Sequence, residues 1–373
     1  MTDGPEQERA GAPAGPGNGK GAGSVEAPPV QQQPPAGDAG GEGPRGPSLQ
    51  SAANRLVDIE SVPVLLATIV IVVVIGILHP NYLKWGQLKD VLQQSVYVGV
   101  LAAGMAFLLS MRELDLSVGS MFGLTLIISA LLMSHGMNPW LAALIGVLLG
   151  GVMGLINALL VQVITIPAIV ATLATLSMYR GLALALANGQ QVTNLPIQNS
   201  FFTKLGGNTL GLPTSVWILI ILALVLTGVL RFTPFGYRVR SIGSNPEAAT
   251  FSGISIPRVR VQALVLMGLL AGLAGMLGLA FFESGDPNIG TGFELQAIAA
   301  AVIGGTPLRG GSATVIGAVF GAILLSAVNA GLPFLNVPQN WSAFTTGAVI
   351  LGAVSLDSLV RRRRRGHSSG LAL

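Results

Sequence analysis

The chain has 373 residues, of which 51% are hydrophobic and 10% charged, with a formal net charge of +4 at pH 7. An ordinary soluble domain carries about 25% charged residues, so water is not the main solvent of this one. The absence of cysteine excludes disulfides and thiolate metal sites, and the three histidines, His79, His135 and His367, are too scattered to suggest a metal.

Residues 1–58 form the first segment. Up to about residue 50 it is rich in Gly, Pro, Ala and Gln, with almost no large apolar side chain, and a disordered tail is expected because too little surface is available to offset ordering entropy. It lacks a basic start followed by an apolar core, so it does not read as a signal peptide. Gly15 to Gly21 has a superficial likeness to a phosphate loop. However, Lys20 is followed by Gly21 where Ser or Thr should hold magnesium, and no strand precedes it.

Residues 59–360 hold apolar runs near the ~20-residue length that crosses a bilayer, separated by short polar breaks. They predict an all-α membrane protein of about ten transmembrane helices. The expected spans are 62–79, 94–111, 116–134, 140–161, 166–187, 214–231, 260–282, 293–306, 313–332 and 341–360, the eighth short enough to be re-entrant. With 50 glycines, close approach between helices is expected. Gly146, Gly150 and Gly154, Gly119 with Gly123, and Gly268 with Gly272 carry that spacing. Val118–Gly123 and Ile316–Gly321 echo each other at the start of two spans of the same direction, as a parallel repeat or a chance of composition would give.

Ten spans put both termini on one side. The loop after the sixth span carries Arg231, Arg238, Arg240, Arg258 and Arg260, and residues 361–373 begin with Arg361 to Arg365. The opposite loops hold only Lys84, Lys89 and Lys204, so both termini are expected to be cytoplasmic. Trp85, Trp140, Trp217 and Trp341 all fall beside the outer ends of the spans, where tryptophan prefers the interface.

Within the inner loop, residues 231–257 read as one short, well-capped helix. Asn245 caps it, Pro246 suits the first helical position, Glu247 opposes the positive end, Ala248 and Ala249 continue it, and Gly253 permits a left-handed stop. A helix of about two turns is marginal alone in water. With Phe251 protruding, it is expected to dock on a soluble partner.

Glu247-Ala-Ala-Thr-Phe-Ser-Gly253 resembles the cytoplasmic loop of ATP-binding-cassette import permeases, whose short coupling helix sits in a groove of the ATPase. Three further motifs strengthen the likeness: Leu114-Asp-Leu-Ser-Val-Gly-Ser120, Thr175-Leu-Ser-Met-Tyr-Arg-Gly181, and the run from Phe293-Glu-Leu-Gln to Thr306-Pro-Leu-Arg-Gly-Gly311. Together they resemble the ribose, xylose, galactose, rhamnose and autoinducer-2 class over about residues 60 to 360. Met111-Arg-Glu113 departs from the small residues and glycine usual in that class. The resemblance implies a BtuC-like importer permease architecture in the bacterial cytoplasmic membrane and a second permease chain, identical or different. It also implies an ATPase subunit binding ATP and magnesium, and an extracytoplasmic sugar-binding protein. Nucleic acid is not an expected partner. The chain has no Walker A loop and no Leu-Ser-Gly-Gly-Gln signature, so no cofactor or catalysis of its own is expected.

Polar residues within spans are expected to face a cavity, a partner or a helix end. Arg180, Glu294 and Gln296 either line a translocation path or pair across it, and for Arg180 an interhelical salt bridge or a snorkelling side chain is the competing reading. Asp115, beside Ser117 and Ser120, reads as a cap for the third span, with a path role as the alternative. Asn157 and Asn329 suit interhelical hydrogen bonds, again with transport as the alternative. Asp357 is expected to pair with the arginines after it. Phe281, Phe282 and Glu283 at the outer end of the seventh span are expected to meet either solvent or the binding protein. Two other readings stay open: an ion-coupled secondary transporter, with helices broken around a midplane site, and a permease for nucleosides or branched-chain amino acids.

Overall fold

The computed structural model describes residues 62–349 with 351, 352 and 355. The expectations for residues 1–58, for 361–373, for Asp357 and for the end of the tenth span lie outside the described residues.

The helices, in chain order, are α1 (Val62–Leu78), α2 (Trp85–Ser110), α3 (Val118–Ser134), α4 (Pro139–Val163), α5 (Ala168–Leu186), α6 (Ser200–Leu205), α7 (Thr214–Phe232), α8 (Pro234–Ser244), α9 (Pro246–Phe251), α10 (Ile256–Phe282), α11 (Phe293–Ile303) and α12 (Val315–Gly331). Residues 342–349 are helical again. Among the described residues, six helices are long and apolar enough to cross a membrane: α2, α4, α5, α7, α10, and α12 continued to Leu335. The helices α1, α3 and α11 are apolar but shorter. A two-residue hairpin pairs Asn208–Thr209 with Leu212–Pro213 just before α7.

Two expectations need correction. The second span was expected from residue 94, but α2 starts at Trp85; Gln87, Lys89, Asp90, Gln93 and Gln94 lower the local hydropathy without breaking the helix. The inner loop was expected to hold one helix and holds two. Thr233 caps α8, its Oγ1 accepting from Gly236 N at 3.2 Å, and Pro234 takes the first position.

The centre of the bundle is α2 with α10. Every residue of α2 from Ser95 to Ser110 is buried, as expected of a helix apolar on all sides. The most extensive helix pair is α4 with α10, whose backbones touch: a Cβ on Gly150 would strike the Gly268 carbonyl oxygen, and one on Gly154 the Leu264 carbonyl oxygen. Without water to drive association, such contact through small residues is how helices gain packing energy in lipid. The exposed apolar side chains of the rim, among them Val70, Leu148, Leu173, Met178, Leu224 and Val225, form a surface suited to lipid. At that rim Tyr82 docks the α1–α2 connection onto α12. Its hydroxyl donates to the Ala327 carbonyl at 2.8 Å, and burial pushes its pKa up to about 12, so the donor stays protonated.

The bundle has two distinct ends. At one, Arg112, Glu113, Gln162, Ser244, Pro257 and Arg260 are joined by hydrogen bonds. At the other lie Trp140, bonded to Ser200, and Trp217, bonded to the Thr209 carbonyl.

Candidate functional site

Polar chemistry gathers at both ends of the bundle and at two places inside it. At the basic end, Asn245 Oδ1 accepts from Ala248 N at 3.1 Å and starts α9 at Pro246. Gly253 stops the helix with φ of +80°, a conformation glycine enters without a Cβ penalty. Ala249 is buried against the bundle while Phe251 is 92% exposed. Beside it a groove of about 630 Å³ opens between α8 and α9, lined by Tyr237, Arg240, Ser241 and Ala248.

This two-helix platform is fastened to the bundle. Arg112 Nε donates to the Gly243 carbonyl at 2.8 Å and its Nη2 to the Ser244 carbonyl at 3.1 Å, covering free carbonyls at the negative end of α8. Glu113 accepts from Arg260 Nε at 2.7 Å, the one ion pair among the described residues. Gly311 N donates to the Ser110 carbonyl at 2.9 Å, and a Cβ on Gly243 would overlap that same oxygen. The end of α2, the end of α8 and the 304–314 loop thus meet backbone to backbone.

Deeper in the bundle, Asp115 is fully buried. Its Oδ1 accepts from Ser117 N at 2.8 Å and Ser117 Oγ at 2.6 Å. Asn157 Nδ2 donates to Ser117 Oγ at 2.8 Å and approaches Asp115 at 3.3 Å, and the Tyr179 hydroxyl reaches Asn157 Oδ1 at 3.4 Å. This knot joins α4 and α5 to the turn before α3. Asp115 closes that turn and does not cap α3 itself; Ser120 Oγ has no partner.

Arg180 and Glu294 occupy a third place. Arg180 donates to the Pro287 and Ile289 carbonyls at 2.7 and 3.1 Å, holding the loop between α10 and α11 along α3. Gly119 and Gly123, expected to pack helices, instead leave room for this loop: a Cβ at Gly119 would strike the Glu294 carboxylate, and one at Gly123 would crowd Arg180 and Ile289. Hence α11 begins half-buried against the first turn of α3.

Toward the tryptophan end a cleft of about 530 Å³ opens between α2, α10, α11, α12 and the last helical stretch. Of the six polar residues for which a path role was a reading or an alternative, Gln296 and Asn329 line it; Asp115, Asn157, Arg180 and Glu294 do not. Gln87, Asp90, Gln94 and Tyr97 line it from α2, at helical spacings of three, four and three, so one face of the helix carries all four. Phe281, Phe282 and Phe293 line it from α10 and α11, and Ser326 and Asn329 from α12. Sequence reading by hydropathy passes over the α2 stripe, although its period is visible in the sequence.

A bundle of buried central helices, a lipid-suited rim, a polar cleft at one end and a two-helix platform at the other suits a multi-pass permease of the cell membrane. Residues 87–354 match the model of the family described as branched-chain amino acid transport system / permease component, and the chain belongs to it. It is 34% identical over 296 residues to the ribose import permease protein RbsC of Escherichia coli (strain K12), covering 79% of this chain and 92% of that protein. To the L-arabinose ABC transporter permease protein AraH of Azospirillum brasilense it is 32% identical over 302 residues, 81% of this chain and 88% of that one. To the autoinducer 2 import system permease protein LsrC of Salmonella typhi it is 36% identical over 300 residues, 80% and 85% of the two chains. No solved structure matches this chain.

Proposed function

We propose that this chain is the membrane-spanning subunit of an ATP-driven importer that passes a monosaccharide across the cytoplasmic membrane. The relatives named for ribose, arabinose and autoinducer-2 support the cargo class. The observation that carries the mechanism is the capped helix Pro246–Phe251, fastened at its inner side and presenting Phe251 outward. In this reading Asn245, Pro246, Glu247, Ala248, Ala249, Phe251 and Gly253 form the coupling helix, which seats in the ATPase subunit. ATP and magnesium bind on that partner, and this chain holds no cofactor and catalyses nothing. A second permease chain, the same or different, completes the pore, and an extracytoplasmic sugar-binding protein delivers the cargo. The arginine-rich end supports cytoplasmic termini under the positive-inside rule, and ten spans in a BtuC-like architecture belong to the same reading.

The ion-coupled reading has one feature in its favour, the short apolar helix α11, since secondary transporters bind ions at broken helices. It gives no purpose to the platform of α8 and α9. The deciding experiment is gentle purification of the chain from its native membrane, with mass spectrometry of what stays bound and uptake measured before and after ATP depletion. A co-purifying ATPase and uptake that stops without ATP are expected. Recovery of the chain alone with uptake persisting would overturn the importer.

A further inference from the structure

The outer cleft has a lining with a definite chemistry. On one wall stand the rings of Phe281 and Phe282, 5.4 Å apart between centroids, with the buried Tyr97 ring of α2 packed 5.5 Å from Phe282. On the other, Gln87, Asp90 and Gln94 descend α2 toward Gln296 and Asn329. The amides both donate and accept, and the carboxylate accepts. Among the described residues, no arginine, lysine or histidine lines the cleft.

That combination selects among ligands. An anion finds no cation and meets Asp90. A zwitterionic amino acid finds a carboxylate for its ammonium, but only neutral amides and no cation for its own carboxylate, which offset its lost water less well. A neutral polyol suits both walls: its C–H face lies on the rings, and its hydroxyls, each donor and acceptor, meet the amides and the carboxylate. The volume of about 530 Å³ falls within the range of small-molecule sites. The rings are also held in place. Gln93 Nε2 donates to the Tyr97 hydroxyl at 2.5 Å, and Ser215 Oγ on α7 donates to Gln93 Oε1 at 2.5 Å, so Tyr97 is tied to a second helix behind the wall.

The geometry points to this cleft as a transit site for a free neutral monosaccharide, with the Gln87, Asp90, Gln94 stripe, Gln296 and Asn329 as its hydrogen-bonding wall and Phe281 with Phe282 as its stacking wall. This rests on the importer reading and adds to it a location and a set of contacts. Asp90 and Gln94 are exposed, so both are open to sugar and to reagents from the tryptophan end.

The natural chain has no cysteine, which makes Gln94→Cys a single-site probe. In right-side-out membrane vesicles carrying the full chain, the rate of Gln94→Cys modification by a membrane-impermeant sulfonated maleimide is measured. The added protectants are D-ribose, L-arabinose, D-galactose, L-rhamnose, leucine or inosine, one at a time. At least one of the four sugars is expected to slow modification several-fold, with leucine and inosine without effect, and Leu210→Cys on the distant exposed loop should react at an unchanged rate throughout. Adding Asn329→Ala to Gln94→Cys should weaken the protection several-fold. Slowing by leucine or inosine in place of sugar would overturn the polyol assignment, as would equal slowing at Leu210→Cys. ATP-driven sugar uptake by the wild-type complex is read in parallel. Uptake without protection by any of the four sugars would overturn the cleft and leave the importer standing; protection without ATP-driven uptake would sustain the cleft and overturn the importer.

Discussion

Glu113 and Arg260 are 147 positions apart in the sequence and share one ion pair, which ties the turn after α2 to the first turns of α10. Their side chains are 14% and 26% exposed, so the pair is partly screened and a double-mutant cycle should give a coupling of about 1 kcal/mol. Glu113→Lys should lower sugar uptake while ATP hydrolysis by the complex continues. Adding Arg260→Glu should return much of the uptake. Full uptake in the single variant, or no gain in the double, would show that the pair does not hold the platform.

Residues of α9 separate fold from the proposed coupling. Phe251 is nearly free of the bundle, so Phe251→Ala should change thermal stability in detergent by no more than about 0.5 kcal/mol. It should nonetheless cut recovery of the ATPase with the purified chain several-fold. At Gly253 nothing lies within 4 Å of an added Cβ, so Gly253→Ala suffers only the left-handed backbone, about 1 kcal/mol, and its effect should be local. Glu247→Gln tests the same coupling. Uptake unchanged in all three variants would remove the coupling role.

Two glycines give opposite expectations. Gly150→Ala should push α4 away from α10 and destabilise the chain by about 1–3 kcal/mol, because the added methyl group meets backbone that has no rotamer to yield. Gly181→Ala on α5 meets nothing within 4 Å and should be neutral or stabilising by up to about 1 kcal/mol. Midpoints of thermal unfolding in one detergent compare them, and equal midpoints would contradict the close approach of α4 and α10.

The buried knot around Asp115 is expected to be structural. Asp115→Ala would leave the Ser117 backbone N–H and hydroxyl without their acceptor, costing about 1–3 kcal/mol for each buried group. Asn157→Leu should cost a similar amount. Correct insertion with normal stability in both variants would argue that the knot serves transport instead.

The sequence makes the long apolar helices legible because hydropathy reports them directly, and the cap signals at Asn245-Pro246 and Gly253 mark both ends of α9. Thr233-Pro234 is the same start signal, but α8 carries Arg238 and Arg240, and an apolar scan passes over it. The outer third of α2 is hidden for a related reason: its polar residues face a cleft, so the period of its polar face is informative where the mean hydropathy is not. Partners were less accessible still. Arg180 is readable as an intramembrane charge, but backbone carbonyls 107 and 109 residues away, which no side-chain pattern encodes, are what it bonds. Gly119 and Gly123 have the spacing of a helix-packing motif, and only the tertiary path of the 283–292 loop reveals that a carboxylate and a guanidinium fill the space.

The direct meeting of Ser110, Gly243 and Gly311 leaves no compressible side chain between the docking platform and α2. A stiff rod of 26 residues then runs from that joint, about 39 Å long at the helical rise. Its far third carries the polar stripe of the cleft. Tilting such a rod by about 5° about its fixed end sweeps the other by about 3 Å, close to the width of a water molecule. A modest rocking at the basic end is therefore a larger displacement at the opposite one, with leverage rather than local rearrangement supplying the gain.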